Sequence, residues 1–207
     1  MRTNVYIDGF NLYYGCLKKT PYRWLNVADL CRLMLPKDTI HRIKYFTARV
    51  SARPRGPDQP VRQQTYLRAL ETIPNLTITY GSFLTHTVSM LLANPQPRQS
   101  PYADVIRTTE KGSDVNLATH LLFDAFRNDY DVAVIISNDS DLREPVRIVT
   151  QELGKPVGIL NPHPHPSEQL VQHATFIKQI RPGVLRASQF PASLTDRNGT
   201  FHKPHSW

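Results

Sequence analysis

The feature that most constrains the fold is the run Val132–Ile136 (V-A-V-I-I), an unbroken apolar stretch of five residues rich in β-branched side chains. A strand with one wet face alternates polar and apolar residues, whereas an uninterrupted run of this length fits a strand covered on both faces. Such strands belong to parallel sheets, whose neighbouring strands must be joined by long crossovers, usually helices. The surrounding sequence supplies those helices. From Ser113 onward, Val115, Ala118, Leu121, Leu122, Ala125 and Phe126 trace a broad helical face. Leu142, Val146, Val149 and Leu153 trace another, closed by Gly154, and residues 157–160 read as the next strand.

The N-terminal half repeats the pattern. Residues 4–8 (N-V-Y-I-D) form a β-rich run closed by Gly9, and residues 11–18 read as a helix. Asn26 is placed to cap a helix carrying Leu30, Leu33 and Met34 and stopped by Pro36. A strand is expected over residues 40–50, a basic breaker-rich loop at Arg53-Pro54-Arg55-Gly56-Pro57, a helix over 61–73, and a strand carrying Leu76, Ile78 and Tyr80. Residues 84–109 show no clear periodicity, with a loop at 94–98, and residues 170–180 read as a helix or a final strand. Alternating strands and helices predict an α/β protein: a mostly parallel sheet between two layers of helices. We expect one domain over residues 1–181. A C-terminal extension, 182–207, would contain a hairpin turn at Asp196-Arg197-Asn198-Gly199 and be loosely ordered otherwise.

No stretch approaches the ~20 apolar residues of a membrane span, and the N-terminus runs into a strand pattern without a cleavage site. Cys16 and Cys31 suit small core residues in a reducing compartment better than a disulfide framework. A soluble, cytoplasmic protein is expected, and assembly into a homo-oligomer is compatible with the sequence. The net charge of +8 favours polyanionic partners without specifying one.

Acidic residues fall at element ends. Asp8 ends the first strand, Asp114 opens the long helix, and Asp139 and Asp141 follow the apolar strand in Ser137-Asn138-Asp139-Ser140-Asp141. Ligands of open α/β sheets bind beyond the carboxyl ends of the strands, where strand order reverses. If the first three strands build one way and the later ones the other, Asp8 and Asp139 face one crevice that Asp114 can close. Clustered carboxylates repel one another, and a hard cation such as Mg²⁺ or Mn²⁺ relieves that repulsion. Each acid also has a structural reading. Asp141 can cap its helix with Glu144 completing a box, and Asp114 can serve the helix dipole.

Three segments resemble the motifs of the NYN-domain (LabA-like) group of PIN-like nucleases. They are Val5-Tyr6-Ile7-Asp8-Gly9-Phe10-Asn11-Leu12, Glu110-Lys111-Gly112-Ser113-Asp114-Val115, and Val134-Ile135-Ile136-Ser137-Asn138-Asp139-Ser140-Asp141-Leu142. They occur in family order, and the similarity spans about residues 3–180. The resemblance implies a PIN-like Rossmannoid three-layer sandwich and Mg²⁺- or Mn²⁺-dependent endonucleolytic cleavage of RNA, single-stranded or structured. It implies metal-site roles for Asp8, Asp114, Asp139 and Asp141. Asn11 would orient Asp8 or a water, with Glu110 as a further candidate. The family often carries an acid after alanine near its end, where this chain has Ala174-Thr175.

Arg53, Arg55 and Arg62, with Lys111, are candidates for gripping RNA phosphates, against the alternative of solvated side chains. Pro162-His163-Pro164-His165-Pro166 reads as a stiff loop beside the crevice rather than a metal site, because alternate side chains diverge in an extended proline-rich backbone. A catalytically silent RNA-binding or regulatory module is the second reading. A phosphatase of the haloacid-dehalogenase type ranks below both, because the position two residues after Asp8 is Phe10 rather than an acid.

Overall fold

The computed structural model describes residues 1–52, 56–96, 100–205 and 207; the loop expected at Arg53-Pro54-Arg55 and the end of the 94–98 stretch lie outside them. The chain opens with β1 (Arg2–Asp8), α1 (Gly9–Leu12) and a wider helical turn Tyr13–Leu17. It continues through α2 (Val27–Met34), β2 (Thr39–Thr47), α3 (Gln59–Leu70) and β3 (Leu76–Tyr80). After β4 (Ser82–Leu91) and β5 (Tyr102–Lys111) come α4 (Ser113–Phe126), β6 (Val132–Ile136), α5 (Arg143–Arg147) and β7 (Val157–Asn161). The last elements are α6 (Glu168–Val171), β8 (Phe176–Gln179), α7 (Pro182–Ala187), β9 (Ser193–Asp196) and β10 (Gly199–His202).

Six strands form one sheet in the order β3-β2-β1-β6-β7-β8, and every neighbouring pair is parallel. The protein is therefore α/β, as its alternating pattern predicts, and all five residues of β6 are buried. Side chains alternate between two helical layers. Val5, Ile7, Ile43, Tyr45, Val134 and Ile136 face α2 and α3. Tyr6, Phe46, Ala133 and Ile135 face Leu117 and Leu121 of α4 and Val146 of α5. Asn26 caps α2 as expected, its Oδ1 accepting from the Ala28 and Asp29 amides at 3.0 and 3.3 Å. The ambiguous segment 170–180 is both things in turn, the end of α6 and then β8.

The aperiodic stretch supplies the two strands of an antiparallel hairpin, β4 and β5, paired from Ser82↔Lys111 to Leu91↔Tyr102. It leaves the carboxyl edge of the sheet after β3 and returns at the start of α4. None of its strand residues is buried. Alternation reports a buried face, so a ribbon wet on both sides gives no periodic signal. From Pro182 onward the chain packs against α2 and α3. Leu185, Phe190 and Phe201 join the core, and Arg68 of α3 holds Asp196 through two 2.7 Å bonds. Among the described residues no helix is long and apolar enough to cross a membrane.

Candidate metal centre

Strand order reverses between β1 and β6, which opens a crevice at their carboxyl ends. Ile7 pairs with Ile136, so Asp8, the last residue of β1, stands level with Ser137. Ser137 joins the two strand ends: its Oγ donates to Asp8 Oδ2 at 3.0 Å and accepts from the Asp139 amide at 3.1 Å. The other oxygen of Asp8 caps α1 by accepting from the Asn11 amide at 2.9 Å. Asp139 likewise caps the short turn Ser140–Leu142, accepting from the Asp141 amide at 3.0 Å. The cap is thus Asp139 rather than Asp141, and Glu144 pairs with Arg147 at 2.7 Å instead of completing a box.

Asp114 comes from the first turn of α4. The start of that helix is held by Glu110, whose carboxylate accepts from the Ser113 amide at 3.1 Å and the Ser113 hydroxyl at 2.8 Å. Asp8, Asp114 and Asp139 each offer one carboxylate oxygen, and these three oxygens lie within 4.8 Å of one another. Asp141 is exposed beside this trio and outside it, but its charge is felt at Asp114.

Burial dominates the electrostatics. Asp8 is only 4% exposed, and loss of hydration, reinforced by the charges of Asp114 and Asp139, pushes its carboxyl up to about 6 against the pull of the Asn11 and Ser137 hydrogen bonds. Burial also raises Asp114, with Asp139, Glu110 and Asp141 adding to it. Three mutually repelling oxygen donors, one of them almost fully desolvated, fit a hard divalent cation and suit a soft metal poorly.

A second layer of residues braces the trio. Asn11 Oδ1 accepts from the Asn138 amide at 2.9 Å, which fixes the orientation of its side-chain amide. The same oxygen lies 3.1 Å from His163 Nε2, so that nitrogen must carry the proton. Gly15 makes this approach possible: a Cβ there would stand 2.9 Å from the His163 ring. Asn138 in turn holds the proline-rich loop, donating to the His165 carbonyl at 3.0 Å and accepting from the Ser167 amide at 2.6 Å. Ser137, Asn138 and His163 received no individual role from the sequence. The signal available was the position of the first two inside the third motif, directly after the buried strand.

The candidate basic residues are scattered. Lys111 is exposed at the end of β5, next to the start of α4. Arg62 lies on α3, its guanidinium 3.8 Å from Asp58. Arg53 and Arg55 lie outside the described residues.

Fold and site together define an open parallel α/β protein with a carboxylate trio at the point where strand order reverses. The chain belongs to the NYN domain family, whose model matches residues 2–181. It is similar along its whole length to 6-hydroxy-3-succinoylpyridine 3-monooxygenase HspA of Pseudomonas putida, with 29% identity over 236 aligned positions covering 75% of that protein. A crystallised protein of unknown function from Vibrio parahaemolyticus shares the fold at 15% identity and a TM-score of 0.58, covering 87% of this chain and 94% of that one.

Proposed function

We propose that the protein is a divalent-metal-dependent endoribonuclease, with Mg²⁺ or Mn²⁺ held by Asp8, Asp114 and Asp139 and with Asp141 at the rim. The observation that carries this reading is the convergence of three carboxylate oxygens, drawn from β1, the start of α4 and the segment after β6, within 4.8 Å of each other. When bound, the cation would neutralise phosphate charge and make water a better nucleophile. The chain's own residues do the positioning. Asp8 and Asp139 are clamped by Ser137, and Asn11, tethered through its oxygen, is left with its amide nitrogen to offer a phosphate oxygen. Lys111 and Arg62 would supply cationic contacts to the strand. In the reaction water adds at phosphorus and one P–O ester bond breaks, leaving a phosphomonoester and an alcohol.

End-labelled RNA, single-stranded or hairpin, should be cut by the purified protein with Mn²⁺ or Mg²⁺ and spared with EDTA. Cleavage undiminished in EDTA overturns the mechanism, and metal-independent RNA binding without cleavage assigns the silent module instead. One observation favours a second reading, the whole-chain similarity to the Pseudomonas monooxygenase. In that reading one atom of O₂ enters a heteroaromatic ring and the other leaves as water, at the expense of a two-electron donor. Mass spectrometry of 6-hydroxy-3-succinoylpyridine incubated with the protein, isotopically labelled O₂ and a reductant tests it by consumption of the substrate and the appearance of a product bearing one labelled oxygen atom.

A further inference from the structure

A cavity of about 310 Å³ lies on the opposite face of the sheet from Asp114, between the first helical segment and α3. That volume is at the lower end of the range for small-molecule sites. The cavity shares a wall with the metal centre, because Gly9 and Phe10, the two residues after Asp8, line it. The Tyr45 ring lies so close to Gly9 that a Cβ there would meet it at 2.7 Å, so the backbone leaving Asp8 rests directly on an aromatic wall.

The lining is aromatic and cationic. Tyr13 and Tyr14, 5.3 Å apart in an edge-on pair, stand on one side, and Tyr66 and Trp207, 5.6 Å apart, on another. Lys18, Arg23 and Arg62 also reach the cavity, and among the described residues no Asp or Glu lines it. The Arg62–Asp58 ion pair is long at 3.8 Å, and Asp58 is 79% exposed, so the guanidinium remains able to take an anion. Gln63 is a fixed part of the wall, both ends of its amide being bonded to the backbone at Ala48 and Val50. Gln59, by its place in the lining, can meet a ring edge with a donor and an acceptor.

We propose that this cavity binds a planar heteroaromatic ring carrying an anionic group, and that the ring is the base of a nucleotide flanking the cut phosphodiester. The second half rests on the RNA-cleaving reading; the first half stands on the cavity alone. Aromatic walls hold any base by stacking, which accounts for a nucleotide without requiring one sequence. Continuity with Asp8 through Gly9 and Phe10 places the ring beside the reacting phosphate rather than at a remote site.

The test uses the full chain in EDTA, so that binding is read apart from cleavage. Tryptophan fluorescence reports occupancy because Trp207 lines the cavity. AMP should quench it saturably, and ribose 5-phosphate, which lacks the ring, should bind at least about tenfold more weakly. Tyr14→Ala and Arg62→Glu should each weaken AMP binding by about tenfold at an unchanged melting temperature. Tyr14 is 52% exposed, so its replacement leaves the core intact. No saturable quenching at millimolar AMP, or equal affinity in the parent and both variants, overturns the proposal. Pyridine-3-carboxylate binding about tenfold more tightly than AMP would overturn the base assignment and make the ligand a free heteroaromatic acid. RNA cleavage without AMP binding removes this inference and leaves the nuclease; AMP binding without cleavage under Mn²⁺ leaves the ring-binding cavity and removes both the nuclease and the flanking-base assignment.

Discussion

Replacing Asp8 by asparagine removes the most deeply buried charge of the trio with little change of shape. In the metal-free protein its carboxyl is raised from the usual 3.8 to about 6. Once ionised, Asp8 therefore costs the folded state about 3 kcal/mol relative to the unfolded chain. Asparagine keeps the acceptor used by the Asn11 amide, but the Ser137 hydroxyl loses its carboxylate acceptor, at about 1 kcal/mol. The variant should thus be about 2 kcal/mol more stable than the parent at neutral pH. For a chain of this length that is a melting temperature about 4–8 °C higher. The sign follows from the direction of the shift. A raised carboxyl favours the folded state at low pH, so the gap should be small near pH 4, open as pH rises towards about 6, and stay flat above it. Thermal melts in EDTA across this range read it directly. Adding Mn²⁺ should raise the parent's melting temperature, because a ligand that binds only the native state stabilises it, and should barely move the variant. A variant less stable than the parent at neutral pH, or a gap independent of pH, would refute the account of Asp8 as a strained functional acid.

Two further predictions concern the supports. Lys44→Met should destabilise the protein by about 3–5 kcal/mol, measured by urea denaturation, because it strands a buried carboxylate. Lys44 Nζ bonds Asp124 at 2.5 Å and Tyr6 donates to the same oxygen at 2.6 Å, with both Lys44 and Asp124 under 9% exposed. His163→Ala should lower kcat for RNA cleavage by about tenfold or more by releasing Asn11, whereas His163→Gln, which keeps an N–H donor, should retain most of it. Equal loss in both variants would show that the imidazole does more than hold Asn11.

What the sequence revealed, and what it hid, follow from burial. Val132–Ile136 announced a doubly covered strand because both of its faces exclude water, and the reversal of strand order followed from placing it beside β1. Carboxylates at strand and helix ends were visible for the same reason: a charge directly after a buried run stands out. The hairpin β4–β5 was illegible because none of its strand residues is buried, so nothing selects which side chains are apolar. The bracing by Ser137 and His163 was hidden for a different reason. Asn11 and His163 are 152 positions apart, and their meeting depends on how the loop after β7 folds back over the first helix. No local pattern encodes that contact. The aromatic cavity is similarly dispersed, its walls coming from the first helical segment, β2, α3 and Trp207 at the other end of the chain.

The central place of β1 has a consequence for how the protein is made. It pairs with β2, which follows soon after it, and with β6, which is synthesised more than a hundred residues later. A contact of such long range forms late, since the intervening chain must first be closed into a loop. On the ribosome, β1 to β3 can emerge and pair while the flank of β1 that will receive β6 is still open. During that interval Asp8 has neither Ser137 to hold it nor Asp114 and Asp139 to complete a cation site. The trio is therefore created when β6 docks against β1, and a half-translated chain cannot carry it.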